Sequence, residues 1–133
     1  MTAETIIAAV LADGKIVRFE AGGDSMYPVI RSGDRLLVEP ADARTLRRGD
    51  VVLARLERGL TAHRIVRVEL RGDAVASITM RGDNCPADDP PFPPDQLLGR
   101  VRAIDRNGRL RSTSRDLRSF AFAARRWLRQ RIA

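Results

Sequence analysis

The sequence has few of the residues that form disulfides or bind metals. Its 133 residues include one cysteine, Cys85, one histidine, His63, and one lysine, Lys15. One cysteine cannot form an internal disulfide, and one cysteine with one histidine cannot assemble a structural zinc cluster. We therefore expect a reduced domain with no metal ion and no other cofactor.

Long apolar runs are also missing. A membrane-spanning helix needs about 20 consecutive apolar residues, whereas the run over residues 6–11 is short and has no basic leader before it. The segment is therefore not a secretory signal either. The length fits one domain with a core of its own, and we expect a soluble, cytoplasmic protein that is at most peripheral to a membrane.

The basic charge is concentrated at one end of the chain. The net charge is +7, and residues 106–133 hold nine arginines against a single acidic residue, Asp116, so the rest of the chain is close to neutral. A neutral body argues against nucleic acid as its partner, because nucleic-acid-binding domains spread basic residues over a folded face. For the C-terminal segment, an anionic membrane surface or an acidic protein is the candidate partner.

The apolar pattern predicts a mainly β domain between two helices. A short amphipathic helix is predicted over residues 3–12, ended by Asp13-Gly14. Segments rich in Val, Ile and Leu predict strands at 15–20, 35–39, 51–57, 60–70, 74–80 and 97–105. Thr113-x-x-Asp116 resembles a capping box before an apolar stripe flanked by arginines. We therefore expect a β domain over residues 1–105 and a basic, amphipathic helical extension over 106–133.

One stretch carries most of the chemical information. It reads Gly-Asp-Ser-Met-Tyr-Pro over residues 23–28, and it is followed by Gly-Asp pairs at 33/34, 49/50 and 82/83 and by the pair His63-Arg64. This order and spacing resembles the superfamily of type I signal peptidases and SOS-repressor autopeptidases, over about residues 19–101. The resemblance implies a fold of several coiled β-sheets and a serine peptidase that cleaves a peptide or protein precursor.

The residue types support a serine nucleophile with a histidine base. A serine hydroxyl is a poor nucleophile at neutral pH and needs an adjacent base, and a free imidazole, with a pKa of about 6.5, suits that task. His63 is the only imidazole in the chain. The superfamily places lysine or histidine at the base position, so the pair His63-Arg64 is most similar to the endoplasmic-reticulum and archaeal branch. We predict Ser25 as nucleophile and His63 as general base.

A carboxylate is expected to orient the imidazole and stabilise its cation. Asp83 is the first candidate, because the resemblance places its Gly-Asp-Asn turn beside the base. Asp88 and Asp89 follow in the next loop, where spacing favours Asp89. The three carboxylates remain open at this stage.

The same resemblance assigns Gly23, Met26 and Pro28 to the oxyanion and substrate groove. Many signal peptidases have a serine two residues before the nucleophile, where this chain has Gly23. The oxyanion would then be held by main-chain donors, beginning with the amide of Ser25.

Three functions are compatible with these residues. The first is a soluble Ser/His endopeptidase that cuts after small residues, as the resemblance implies. The second is a non-catalytic or regulatory relative whose groove binds a peptide. The third makes the arginine-rich helix a tether to nucleic acid or anionic lipid. Because we find neither the spanning helix of signal peptidases nor the DNA-binding domain of the repressors, we expect a bare catalytic domain with a basic helix.

Overall fold

The computed structural model describes residues 2–115. The predicted C-terminal amphipathic helix lies outside the described residues, as does its apolar stripe. Its docking to an anionic surface or an acidic partner stays a prediction.

The described chain folds into one helix and seven strands. The helix α1 spans Ala3–Ala12, and the strands are β1 (Val17–Glu20), β2 (Arg35–Glu39), β3 (Val51–Leu56), β4 (Gly59–Arg71), β5 (Ala74–Arg81), β6 (Leu97–Arg106) and β7 (Arg109–Arg111). Short 3-10 turns cover Ala43–Thr45 and Pro94–Gln96. The predicted class, mainly β with an N-terminal helix, is confirmed.

Helix α1 begins and ends where its sequence indicates. The hydroxyl of Thr2 accepts a hydrogen bond from the amide of Thr5 at 3.2 Å, which satisfies one of the free N–H groups of the first turn. Gly14, with φ of 80°, follows the last turn in a conformation that favours glycine. Leu11 is buried, and Ile7 packs beside it against the first core cluster.

All strand pairs are antiparallel and belong to one sheet with the order β1-β2-β6-β3-β4-β5, while β7 pairs with β6. The resemblance implied several sheets. The structure joins them because the long strand β6 pairs with β2 along one part and with β3 along another, with register shifts at Leu37/Val38 and Leu53/Ala54. Such bulges bend a strand and increase its twist.

Two apolar clusters lie on either side of β3. Val51 and Leu53 belong to the first cluster, and Val52 and Ala54 belong to the second. Because successive side chains of a strand point to opposite faces, a strand covered on both faces is apolar at every position. This explains why four consecutive residues of β3 are fully buried.

A last hairpin extends the β fold past residue 105, where the sequence prediction ended it. Asn107 and Gly108 have φ of 54° and 82°, the left-handed pair that closes a two-residue hairpin. β7 pairs back on β6, with Arg111 opposite Ile104. The arginines on both sides of Asn107-Gly108 favour the prediction of a basic extension, but the Asn-Gly pair is the local signal for this hairpin.

Candidate active site

Ser25 lies in the loop that joins β1 to β2. The base of this loop is closed by two backbone hydrogen bonds of 2.8 Å, from Ala21 N to Asp34 O and from Gly33 N to Ala21 O. The buried side chain of Asp34 accepts hydrogen bonds from the amide of Arg31 at 2.8 Å and from the guanidinium of Arg106 at 2.8 and 2.9 Å. The second Gly-Asp pair of the sequence therefore anchors the loop of the candidate nucleophile.

His63 meets Ser25 from the middle of β4. Its Nε2 lies 3.0 Å from the Oγ of Ser25, and its side chain is only 5% exposed. The sequence prediction paired these two residues across 38 positions of the chain. The structure brings them within hydrogen-bond distance.

Asp89, rather than Asp83, occupies the far side of the imidazole. Its Oδ2 lies 2.6 Å from the Nδ1 of His63. A carboxylate only accepts hydrogen bonds, so Nδ1 carries the proton and Nε2 of the neutral ring is left to accept from the hydroxyl of Ser25. The expected order of the carboxylates is thus reversed, and Asp88 lies away from the imidazole, within 3.9 Å of Arg81.

Asp83 binds Arg64, the residue that follows His63 on β4. Both of its oxygens accept hydrogen bonds from Arg64, each at 2.8 Å. His63 and Arg64 are consecutive on β4, so their side chains point to opposite faces of the strand. A carboxylate on the face of Arg64 cannot also reach the imidazole, which is the physical reason for the correction.

The loop after β5, residues 84–94, contains five prolines and brings Asp89 to the site; we call it the proline-rich loop. Its path is fixed by backbone hydrogen bonds to β5: Asp89 N donates to Met80 O at 2.8 Å, and Phe92 and Ile78 exchange two bonds of 2.9 Å. Phe92 is buried in the second core cluster and anchors the loop. Prolines cannot donate such bonds, and the residues between them, Asp89 and Phe92, supply the donors.

The turn at residues 82–85 supports the loop of Ser25 from below. Asn84 donates from its amide to Ser25 O at 2.9 Å and from its side chain to Asp24 O at 3.1 Å. A Cβ on Gly82 would lie 2.6 Å from Ser25 O and 3.1 Å from the Nε2 of His63, so only glycine permits this approach. Both residues belong to the Gly-Asp-Asn motif of the sequence, and the motif alone predicts no role for either of them.

Ser25, His63 and Asp89 line a groove of about 500 Å³. Much of its remaining wall consists of small or apolar side chains, from Phe19, Ala21, Met26, Ile30, Leu36, Leu60 and Ala62. One wall follows β1, an edge strand that pairs only with β2 within residues 2–115. The groove therefore offers an apolar floor beside a strand edge.

Comparison with known families agrees with this architecture. The family model described as Peptidase S24-like matches residues 3–101. The chain belongs to the Peptidase S24-like family. The resemblance to the signal peptidase and repressor superfamily is confirmed at that level, and with it a peptidase-type fold. No curated protein matches the chain significantly.

Two of the three groove residues predicted for this S24-like domain lie in the groove. Gly23 and Met26 line it together with Ser25. Pro28 instead lines a neighbouring cavity of about 350 Å³ with Val29 and several arginines. It turns away because the loop between Ser25 and Ile30 folds back on itself, with Ile30 N bonded to Met26 O at 3.0 Å.

The electrostatics of the S24-like site centre on Asp89, whose side chain is 9% exposed. Burial alone would raise the pKa of this carboxyl, but hydrogen bonds from His63 and Arg58 outweigh burial and hold the pKa below its ordinary value. Asp89 therefore stays ionised at neutral pH. Across residues 2–115, no cluster of three or more His, Cys, Asp or Glu side chains could bind a metal ion. In that same range no helix has the length and hydropathy to cross a bilayer.

Proposed function

We propose that the protein is a serine endopeptidase in which Ser25 is the nucleophile, His63 the general base and Asp89 the orienting carboxylate. The single observation that carries the proposal is the continuous chain of short contacts, 3.0 Å from Oγ to Nε2 and 2.6 Å from Nδ1 to Oδ2. Nucleophile, base and orienting group within hydrogen-bond reach are the signature of covalent acyl transfer.

The geometry supports a two-stage hydrolysis. As the Oγ of Ser25 attacks the carbonyl carbon, its proton passes to Nε2 of His63, and the negative charge of Asp89 stabilises the resulting imidazolium. His63 then gives that proton to the departing amine, leaving an acyl ester on Ser25. A water molecule then attacks the ester carbonyl while His63 takes one of its protons, and His63 returns that proton to the Oγ of Ser25 as the acyl–oxygen bond breaks and the acid is released. The amide of Ser25 is our candidate donor to the oxyanion, which forms when the carbonyl is attacked.

We further propose that the substrate is an extended peptide with small or aliphatic side chains near the cleaved bond. The apolar lining of the groove favours uncharged side chains, because a charged group buried there would lose its water without gaining a partner. The unpaired edge of β1 can bond the main chain of an added strand, which is a common way to hold a peptide. A histidine in contact with Ser25 also supports the likeness to the Ser/His branch of signal peptidases.

The test is covalent labelling of the active serine. We expect a fluorophosphonate probe to add once to the wild-type chain at Ser25 and not to Ser25→Ala. His63→Ala should slow labelling and peptide cleavage on the order of 10⁴-fold. Ser32→Ala, an exposed serine in the same loop, serves as the matched control and should label normally.

The alternative is a relative that binds peptides without cutting them. A folded wild-type protein that resists the probe and leaves a peptide library intact, yet binds a peptide in the groove, would overturn the catalytic proposal in favour of this alternative.

A further inference from the structure

We propose that Arg58 is a positioning residue for Asp89 and completes a four-residue chain that runs Ser25, His63, Asp89, Arg58. The inference rests on the proposed hydrolytic function and extends it to a residue for which neither the motifs nor the family match provides a role. Arg58 lies in the turn between β3 and β4, five residues before His63 on the chain.

Arg58 binds the carboxylate oxygen of Asp89 that does not contact His63. Its Nη2 donates to Oδ1 at 2.8 Å, while Nδ1 of His63 donates to Oδ2 at 2.6 Å. A carboxylate held by one oxygen can rotate about its Cβ–Cγ bond, but a carboxylate held by both oxygens has a fixed plane. Arg58 therefore fixes the direction from which Asp89 meets the imidazole.

The position of Arg58 is set by the strand that carries His63. Its Nε donates to the hydroxyl of Thr61 at 3.3 Å, and that hydroxyl donates to Gly59 O at 3.3 Å. Thr61 and His63 are two residues apart on β4 and share a face. The guanidinium is thus tied to the same rigid element as the base, although its side chain is 52% exposed.

The positive charge of Arg58 also helps to keep Asp89 ionised, in addition to fixing its orientation. Asp89, Arg58 and Cys85 are the titratable side chains that line the groove with His63, and Glu4 of α1 approaches the β3–β4 turn. Hydrogen bonding from Arg58 helps to keep Asp89 ionised. Without Arg58, Asp89 loses one of the two side-chain hydrogen bonds that hold its pKa below the ordinary value.

The experiment compares Arg58→Gln with Arg58→Lys and with a matched control, Arg55→Gln, which removes an exposed arginine from β3. We expect Arg58→Gln to lower the rate of probe labelling and kcat roughly tenfold, the scale of one hydrogen bond to a charged group at a half-exposed site, with KM little changed. Arg58→Lys keeps the charge and should recover part of the rate, and Arg55→Gln should match the wild type within about twofold.

A second readout does not need activity. Because His63 is the only histidine, its Nδ1 proton gives a single NMR signal, whose protection from exchange reports on the bond to Asp89. We expect the signal to persist in the wild type and in Arg58→Lys and to be broadened by exchange in Arg58→Gln.

The outcomes separate the two proposals. If the wild type neither labels nor cleaves, the proposed function fails, and the NMR comparison still decides whether Arg58 holds Asp89. If the wild type is active and Arg58→Gln matches it in rate and in proton exchange, Arg58 is an ordinary surface arginine and the inference is wrong.

Discussion

Gly82 sets the distance between the two sides of the candidate site, and Gly82→Ala is therefore a sharp perturbation. The added Cβ would lie 2.6 Å from Ser25 O and 2.6 Å from the Sγ of Cys85, where ordinary contacts begin at 3.4 Å. Gly82 does not have a positive φ. The substitution therefore acts through space, without straining its own backbone.

The expected loss of activity follows from the distances. Restoring ordinary contact moves the carbonyl of Ser25 by about 0.8 Å, and the hydroxyl on the same residue moves with it. The hydrogen bond of 3.0 Å to His63 tolerates a lengthening of only a few tenths of an ångström, so a displacement of this size along it would break it. A misplacement of this size costs about 100-fold in rate. Because Gly82 is buried, stability is measured alongside activity, so that loss of the nucleophile's position is distinguished from loss of the fold.

The rate of fluorophosphonate labelling, measured beside thermal unfolding, tests this reasoning. Gly22→Ala is the matched control, since Gly22 lines the same groove and nothing lies within 4 Å of its added Cβ. The double variant Gly82→Ala/Cys85→Ala removes the clash with sulfur and leaves the clash with the backbone of Ser25. Full labelling by Gly82→Ala, or rescue by the double variant, would refute displacement of the nucleophile as the cause.

Substitutions of Asp89 and Asp83, the carboxylates on the two faces of β4, should affect different properties. Asp34 should govern stability in acid. Asp89→Asn should lower kcat by about 10³-fold or more with little change in thermal unfolding. Asp83→Asn leaves the buried Arg64 without its anion and should lower the unfolding free energy, measured with urea, by about 3 kcal/mol. If both substitutions change kcat and stability equally, this division is wrong. Burial raises the pKa of Asp34, but hydrogen bonds from Arg106 and a backbone amide hold that pKa below its ordinary value, 3.8. The stability that the ionised carboxylate contributes is therefore complete above pH 3.8. It is lost as the pH falls through the lower pKa of the folded state. The difference in thermal unfolding between Asp34→Asn and wild type should thus be largest near neutral pH and should shrink as the pH is lowered below 3.8, and a difference that stays constant with pH would contradict the linkage.

The fold was largely readable from local patterns. Six strands and α1 lie close to their predicted positions because alternating and continuous apolar runs, ended by Gly-Asp turns, are local signals. The strand β7 was missed although Asn107-Gly108 is a strong hairpin signal. The order of strands was not readable, since the pairing of β6 with β2, β3 and β7 depends on contacts far apart in the chain.

The sequence predicts the residue types of the candidate site, but it does not predict all of the contacts between them. Ser25 and His63 could be named because the chain has one imidazole and one Ser-Met-x-Pro motif. The choice between Asp83 and Asp89 depends on which face of β4 each one meets, and the sequence does not show where the proline-rich loop returns. The sequence does show that the side chains of His63 and Arg64 point to opposite faces of a strand. Because a buried arginine needs an anion, Arg64 was the signal that Asp83 lies on the face away from His63.

Because His63 and Arg64 occupy opposite faces of β4, the candidate site is sensitive to the length of the short turn before that strand. Adding or deleting one residue at Glu57-Arg58 would let β4 re-pair with β3 one position along, which turns every side chain of the strand to the other side. Arginine would then point toward Ser25 and the imidazole toward Asp83. A change of two residues would instead leave every side chain of β4 on its present face, and His63 and Arg64 would keep their present partners.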